Sequence, residues 1–412
     1  MKKITVFLLV PIIFFFVGVS ELTAQSTTYS GYIRNYTGIL LEDDNDYAIL
    51  QDTFDLKIEH SRDNVAFKAD LHLYQYHDKD QEIALRQSYM EIYLDSMDFR
   101  IGKQQIVWGK ADGVFVTDVI SPKDLSNYLL PDFEEIRQGI EALKINYYMG
   151  DHTIEFVWVP VFDPTIMPDE DSIWYVQPSF EVTPVFDYSK KEVPANIKNS
   201  EVFLKFAGIT SIIDFEIMAG VMWDDDPTMH LTKAVDSTGD TVLTVTPQHH
   251  LLKLVGGSFS TILGGAVVRG EVAYYEGKFF NSEDSTLEES VVEKNYFHYL
   301  LGLDYSIGGV DLSIQFIEKN IQDYDELIVN DQKENTATFL MASDFLRETL
   351  RLELFVYFGI NDNDSLVRPK VSYNLNDGFE ILAGFNIFNG EEGAYGQYDD
   401  NDLIYSKIKY SF

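Results

Sequence analysis

Cysteine is absent from this chain. Its absence removes disulfide frameworks, thiolate metal sites, cysteine nucleophiles and the acylated cysteine of a lipid anchor together. Bases are scarce: 31 Lys and Arg against 67 Asp and Glu leave a formal charge of −36. A surface of that sign repels nucleic acid, which is excluded as a partner. Long apolar runs are missing beyond the first two dozen residues. A helix needs about 20 apolar residues to cross a bilayer, so a membrane protein built of helices is excluded. What the chain has instead is aromatic residues, 14 % of the total, with 25 Tyr and 29 Phe. Disordered acidic chains lack such residues, so this one is expected to fold.

The opening "MKK", the apolar stretch that follows and Ala24 before Gln25 read as a secretory signal peptide over 1–24. That leaves 25–412 as the folded part. Here the apolar residues recur at every second position. Phe67, Ala69, Leu71 and Leu73 alternate with Lys68, Asp70 and His72; Leu350, Leu352, Leu354, Val356 and Phe358 enclose Arg351 and Glu353. Period 2 is the signature of strands. These strands are long enough to cross a bilayer at a tilt, which takes about 9–11 residues. Their connections alternate between short turns such as "SRDN" (61–64) and longer acidic loops such as 161–198 and 224–247. That is the pattern of an outer-membrane barrel.

The expected fold is therefore all-β, an antiparallel transmembrane β-barrel of about eighteen strands. A count of sixteen stays open, because 199–208 and 248–260 alternate less strictly. Pro369 falls within an expected strand, 365–375, and predicts either a bulge or a shorter strand. The last residues, "DLIYSKIKYSF", put Ile408, Tyr410 and Phe412 on one face and Lys407 and Lys409 on the other. In hydrocarbon no sheet edge can stay unpaired, so this strand is expected to meet the first with its apolar face toward lipid. Ile408, Tyr410 and Phe412 resemble the C-terminal signature by which barrel insertion machinery recognises its clients.

Alternation stops after Trp108 and resumes near Gly139. Between them, Ser121 as an N-cap, Pro122 in the first turn and Asp124 predict a short helix over 121–130. The stretch from Arg100 to Pro164, with "GKQ", "WG", Asp118, Ser121-Pro122, Asp124, "PD" at 131–132, "GIEALKINYY" and "FVWVPVFDP", resembles a porin-like outer-membrane barrel family of largely unassigned function. That family is akin to alginate-export-type and general porins. The resemblance implies that loop 109–137, the third long connection, folds into the lumen and sets a constriction. Its acids are Asp112, Asp118, Asp124, Asp132, Glu134 and Glu135. The pleat turns Arg100, Arg351, Arg368, Lys370, Lys407 and Lys409 inward as a basic wall. Acids opposite bases would put a transverse field across the pore. Pairing of those bases with Glu353 and Glu380 is the alternative.

Acid-rich stretches such as "LEDDND" (41–46) lack the spacing and glycine of a calcium loop. His249 and His250 are adjacent on a strand and point to opposite faces, so no metal site is assigned. "GGSFS" (256–260) lacks the second glycine of a nucleophile elbow, and no enzyme or cofactor is expected. The expected function is a porin-like channel for passive diffusion of small solutes across the outer membrane of a Gram-negative bacterium. A transporter of hydrophobic molecules, using inward Tyr74, Tyr76, Tyr89 and Tyr93, and a surface binding or adhesion barrel are the alternatives. Outer-membrane lipid, lipopolysaccharide and the insertion machinery are the expected partners. Assembly into a homo-oligomer is left open.

Overall fold

The computed structural model describes residues 25–42, 46–77, 81–178, 180, 182–235 and 237–412. The leader expected over 1–24 lies outside them. Strands β1 (Gln25–Leu40), β2 (Tyr47–Arg62), β3 (Val65–Tyr76), β4 (Glu82–Tyr93) and β5 (Met97–Gln104) form a meander. The long connection 105–139 follows and contains helix α1 (Phe133–Ile136). After β6 (Ile140–Met149) and β7 (His152–Val159), the short β8 (Val185–Phe186) sits within a loop. The wall resumes with β9 (Glu201–Ile209) and β10 (Ile213–Trp223). A loop hairpin, β11 (Thr228–Val235) and β12 (Thr241–Gln248), precedes β13 (Leu251–Leu263), β14 (Ala266–Asn281), β15 (Val291–Ile307) and β16 (Val310–Ile321). The wall ends with β17 (Lys333–Phe345), β18 (Leu350–Gly359), β19 (Asp364–Asn376), β20 (Phe379–Asn389) and β21 (Leu403–Ser411).

Eighteen of these strands make one closed antiparallel sheet, each paired with its neighbour along the chain. The sheet closes where β1 pairs with β21, from Tyr32 opposite Ser411 to Leu40 opposite Leu403. Phe412 seals the seam: its N–H donates to the Gly31 carbonyl (3.0 Å) and its own carbonyl accepts from Gly31 N–H (3.1 Å). Its ring stacks on Phe54. Closure pairs the backbone groups that hydrocarbon would otherwise leave unsatisfied. The count is eighteen, not sixteen, and 199–208 and 248–260 both lie in the wall, as β9 and β13. Ile408, Tyr410 and Phe412 are exposed on the outer face, while Lys407 is buried inside.

Three expectations are corrected. The 224–247 connection is not irregular: β11 and β12 pair there, and β8 joins β12 in parallel as a small second sheet. Pro369 neither bulges nor shortens its strand. β19 runs through it in unbroken register with β18, while pairing to β20 lapses at Arg368 and Pro369 and resumes in the same register at Lys370. A proline lacks one donor, and the ladder loses contact on one side alone. The helix expected over 121–130 does not form. The Ser121 hydroxyl is taken by the Ile106 backbone, and Lys123 and Asp124 make isolated bridges to Arg137 and Ile166. Tyr128 has a φ of 51°, outside the helical region. The helical turn comes later, as α1.

Candidate pore constriction

Residues 105–139 turn into the lumen rather than over its mouth. The first arm, 105–121, is closed at its base. Ile106 N–H donates to Ser121 Oγ (2.9 Å), which donates back to the Ile106 carbonyl (3.1 Å). Trp108 N–H donates to Asp118 Oδ1 (3.1 Å), and Asp118 Oδ2 lies 2.5 Å from Arg137 Nε. Ile106, Trp108 and Ile120 are buried against Val157, Phe203, Met218, Leu254 and Tyr275, inward residues of β7, β9, β10, β13 and β14. Each such burial stabilises the arm by about 1.5–3 kcal/mol.

From there the loop crosses the barrel. Glu271 on β14 accepts from Thr117 N–H (3.0 Å), Thr117 Oγ1 (2.6 Å) and Lys110 N–H. Arg269 binds the Lys110 carbonyl (2.7 Å) and the Asp112 carboxylate. Gln315 on β16 exchanges two hydrogen bonds with the Asp112 backbone, at 3.1 and 2.7 Å. Tyr357 on β18 donates to the Gly113 carbonyl (2.9 Å). Gly113 has a φ of 79°, and a Cβ there would meet the Phe355 ring at 2.5 Å, so both conformation and space demand glycine.

The second arm, 128–137, rests on the opposite wall. Leu130 is buried with Tyr36, Leu366, Leu403 and Tyr405, and Tyr128 packs among Trp174, Phe388 and Tyr398. The "YLL" of 128–130 thus finds its burial on the lumen wall. Asp132 and α1 then face β1, β4 and β21. Glu135 Oε1 lies 2.6 Å from Arg34 Nη1 and accepts from the Tyr32 hydroxyl (3.2 Å). Asp132 Oδ1 lies 3.3 Å from Lys407 Nζ. Arg86 donates to the Glu134 carbonyl.

Two chambers adjoin this arm. One, of about 440 Å³, lies between Asp112, Gly113, Arg137, Phe355 and Arg368. The other, of about 740 Å³, has seven bases on its lining: Arg34, Lys57, Arg86, Arg351, Lys370, Lys407 and Lys409. Six acids face them: Asp55, Asp132, Glu134, Glu135, Glu353 and Glu380. In a chain with twice as many acids as bases, that parity marks a local concentration of positive charge.

The carboxyls of the loop respond to these surroundings. Burial alone would push Asp132 and Glu135 up, but the nearby bases outweigh it. Lys407, Arg34 and Lys370 hold Asp132 below the usual carboxylate range, and Arg34 does the same for Glu135. Asp118 goes the other way: burial pushes it up despite Arg137.

The expected site residues divide accordingly. Asp132, Glu134 and Glu135 line the larger chamber with Arg351, Lys370, Lys407 and Lys409. Arg368 belongs to the smaller one, donating to Asn386 Oδ1 (2.9 Å) and to the Leu130 carbonyl (3.4 Å). Asp118 does not face solute, since it is 5 % exposed and tied to Trp108 and Arg137. Asp124 turns back on its own loop, accepting from Ser126 N–H (3.0 Å). Asp112 pairs with Arg269 on the wall. Arg100 stands apart, against Glu91 (2.6 Å) and the Tyr89 ring. Lys370 pairs with Glu353 (2.8 Å), and the nearest partner of Asp132 is Lys407. Arg34, Lys57 and Arg86 went unnoticed in the sequence. Arg34 was legible, because it shares an inward face with Tyr32 and Tyr36 and sits opposite Lys409.

Residues 74–327 match the model of a family described as "Protein of unknown function (DUF1302)". No curated protein matches the sequence. Among solved structures, Pseudomonas aeruginosa OccK2 (OpdF) in complex with glucuronate is 10 % identical, with a TM-score of 0.55 over 94 % of this chain and 97 % of that one. OccK8 (OprE) of the same organism gives the same four values. Acinetobacter baumannii OccAB1 is 8 % identical, with a TM-score of 0.53 over 94 % of this chain and 96 % of that one. Identities this low speak to the fold alone, a porin-like outer-membrane barrel, and single out no alginate-export-type relative. The family match spans more than half of the chain, including its in-folded loop, and the protein belongs to the DUF1302 family.

Proposed function

We propose that the protein is a passive outer-membrane channel for small hydrophilic solutes, with loop 105–139 as its constriction. The observation that carries this reading is the loop itself, pinned to both walls, with α1 turned toward the larger chamber. Fixed charges along such a passage select by sign without any chemical step. Arg34, Lys370, Lys407 and Lys409 suit a small carboxylate, and glucuronate is the molecule in the OccK2 complex. A path for hydrophobic molecules has less support, because the inward tyrosines are interleaved with Asp70, His72, Arg86 and Arg100. No catalytic step and no cofactor form part of the proposal.

Single-channel recording in a planar bilayer tests it. The full chain is expected to give a stable ohmic conductance. Deletion of 112–133 should enlarge that conductance, because the deleted residues include the crossing over β14, β16 and β18. A silent wild-type barrel, or a deletion that leaves conductance unchanged, would overturn the reading.

A further inference from the structure

On the inner wall, where β2 pairs with β3, three chemistry-bearing side chains meet. Asp55 on β2 is the direct cross-strand partner of His72 on β3, and Asp70 lies two residues before His72 on the same face. His72 Nε2 stands 2.6 Å from Asp55 Oδ2 and 3.1 Å from Asp70 Oδ1. All three are buried, Asp55 and His72 completely. This is the one group of His, Asp and Glu side chains able to hold a metal ion among the described residues.

We propose that Asp55, Asp70 and His72 bind a divalent transition-metal ion of the zinc class. Two carboxylates converge on one ring nitrogen, and a single N–H there could serve only one of them well. Neither oxygen of Asp55 has a hydrogen-bond partner. Among the described residues, no lysine or arginine forms an ion pair with Asp55 or Asp70. With a neutral imidazole, two buried carboxylates share at most one N–H, which is costly. A divalent cation neutralises both carboxylates and uses the lone pair of a neutral Nε2.

The donor set fits that class. One imidazole nitrogen and two carboxylate oxygens suit zinc and its neighbours, whereas calcium takes six to eight oxygens. Ligands about 2.1 Å from a tetrahedral centre lie about 3.4 Å apart, close to the present Nε2–Asp70 separation. Asp55 would need to retreat by less than about 1 Å on the same geometry. The ring is already oriented: Nδ1 lies 2.9 Å from the Tyr74 hydroxyl, and Tyr32 stands edge-on at 6.3 Å. A fixed partner on the second ring nitrogen is the usual support of a metal-bound histidine. Asp55 and Tyr32 also line the larger chamber, so a fourth ligand would come from that side.

The experiment uses the full barrel, folded in detergent and stripped with a chelator, then titrated with Zn2+ by calorimetry and with Co2+ by visible absorption. One ion per chain is expected, with the intense absorption of a low-coordinate Co2+ centre. His72→Ala should weaken binding by at least about 100-fold, and Tyr74→Phe by about tenfold. Asp55→Asn keeps the shape of the site and asks the same question if His72→Ala fails to fold, as judged by heat-modifiable gel mobility. The loop histidines His230 and His250, whose Nε2 atoms lie 2.8 Å apart, are the control, and replacing both by Ala should leave binding unchanged. Absence of stoichiometric binding would overturn the proposal. So would binding that survives His72→Ala or Asp55→Asn, or that disappears with the His230 and His250 pair.

Discussion

The two arms of the in-folded loop carry the same kind of acid and use it in opposite ways. On the first arm Asp118 is enclosed by protein, its carboxyl raised by burial even with Arg137 at 2.5 Å. On the second arm Asp132 and Glu135 sit beside a chamber among several bases, and both are held below the usual carboxylate range. The difference is the set of positive neighbours. Burial pushes all three carboxyls up, but Lys407, Arg34 and Lys370 around Asp132, and Arg34 and Lys407 around Glu135, outweigh it and favour the anion. Asp118 loses more on leaving water than Arg137 returns. Acids of the first arm therefore tie the loop down, and acids of the second arm line the larger chamber.

The largest effect expected from breaking this division is at Asp118. Asp118→Ala strands Arg137 and the Trp108 N–H in the interior and should cost the loop about 3–5 kcal/mol. Faster proteolysis within 105–139 and noisier single-channel current would report it, with ion selectivity unchanged. A shift in selectivity without loss of loop stability would place Asp118 on the passage instead. Glu271→Ala comes next. It removes the acceptor for Thr117 and Lys110, and leaving such buried donors unsatisfied costs about 1–3 kcal/mol. Its signature is flickering between conductance levels as the crossing segment comes loose.

Asp132→Asn should change stability by less than about 1 kcal/mol, because its carboxylate is largely exposed to chamber water. Its effect belongs to the field: the reversal potential under a salt gradient should move toward anions. An unchanged reversal potential would remove Asp132 from the selectivity argument.

The smallest expected effect is that of pH. A carboxyl held below its ordinary range stays ionised until the pH falls beneath that range. Any stability from the Arg34–Glu135 pair is therefore present above the ordinary carboxylate value and is lost only as the pH falls through the depressed one. Selectivity should stay flat from pH 7 to about 4 and move toward anions below. A midpoint above pH 5 would show that neither Asp132 nor Glu135 governs it.

The barrel was legible because its signal is local and repeated. Each pass needs an apolar residue at every second position, and each extracellular loop needs polar residues. Even the inward face of Lys407 and Lys409 followed from the pleat. The hairpin of β11 and β12 was passed over because it stands outside the barrel wall and its "TVLTVTP" lies inside a long acidic connection. One sequence signal of the in-folded loop was also missed. Near the loop, "LLKLV" (251–255) is apolar on both faces, because Leu252 and Leu254 pack inward on the loop while Leu251 and Val255 face outward.

By itself, then, the sequence determined the periodic part of this protein: strands, their faces, the seam and the place where the wall gives way to a loop. Which acid ties the loop and which faces the larger chamber was decided only by the tertiary structure. Asp118 and Asp132 are alike in the chain, and nothing near either one announces Arg137 or Lys407. Glu271 and Gln315 are bound to loop residues 154 to 203 positions away. Such partners meet only when the sheet has closed and the loop has crossed it. The environment that sets a carboxyl's charge is made by that closure and not by its sequence neighbours.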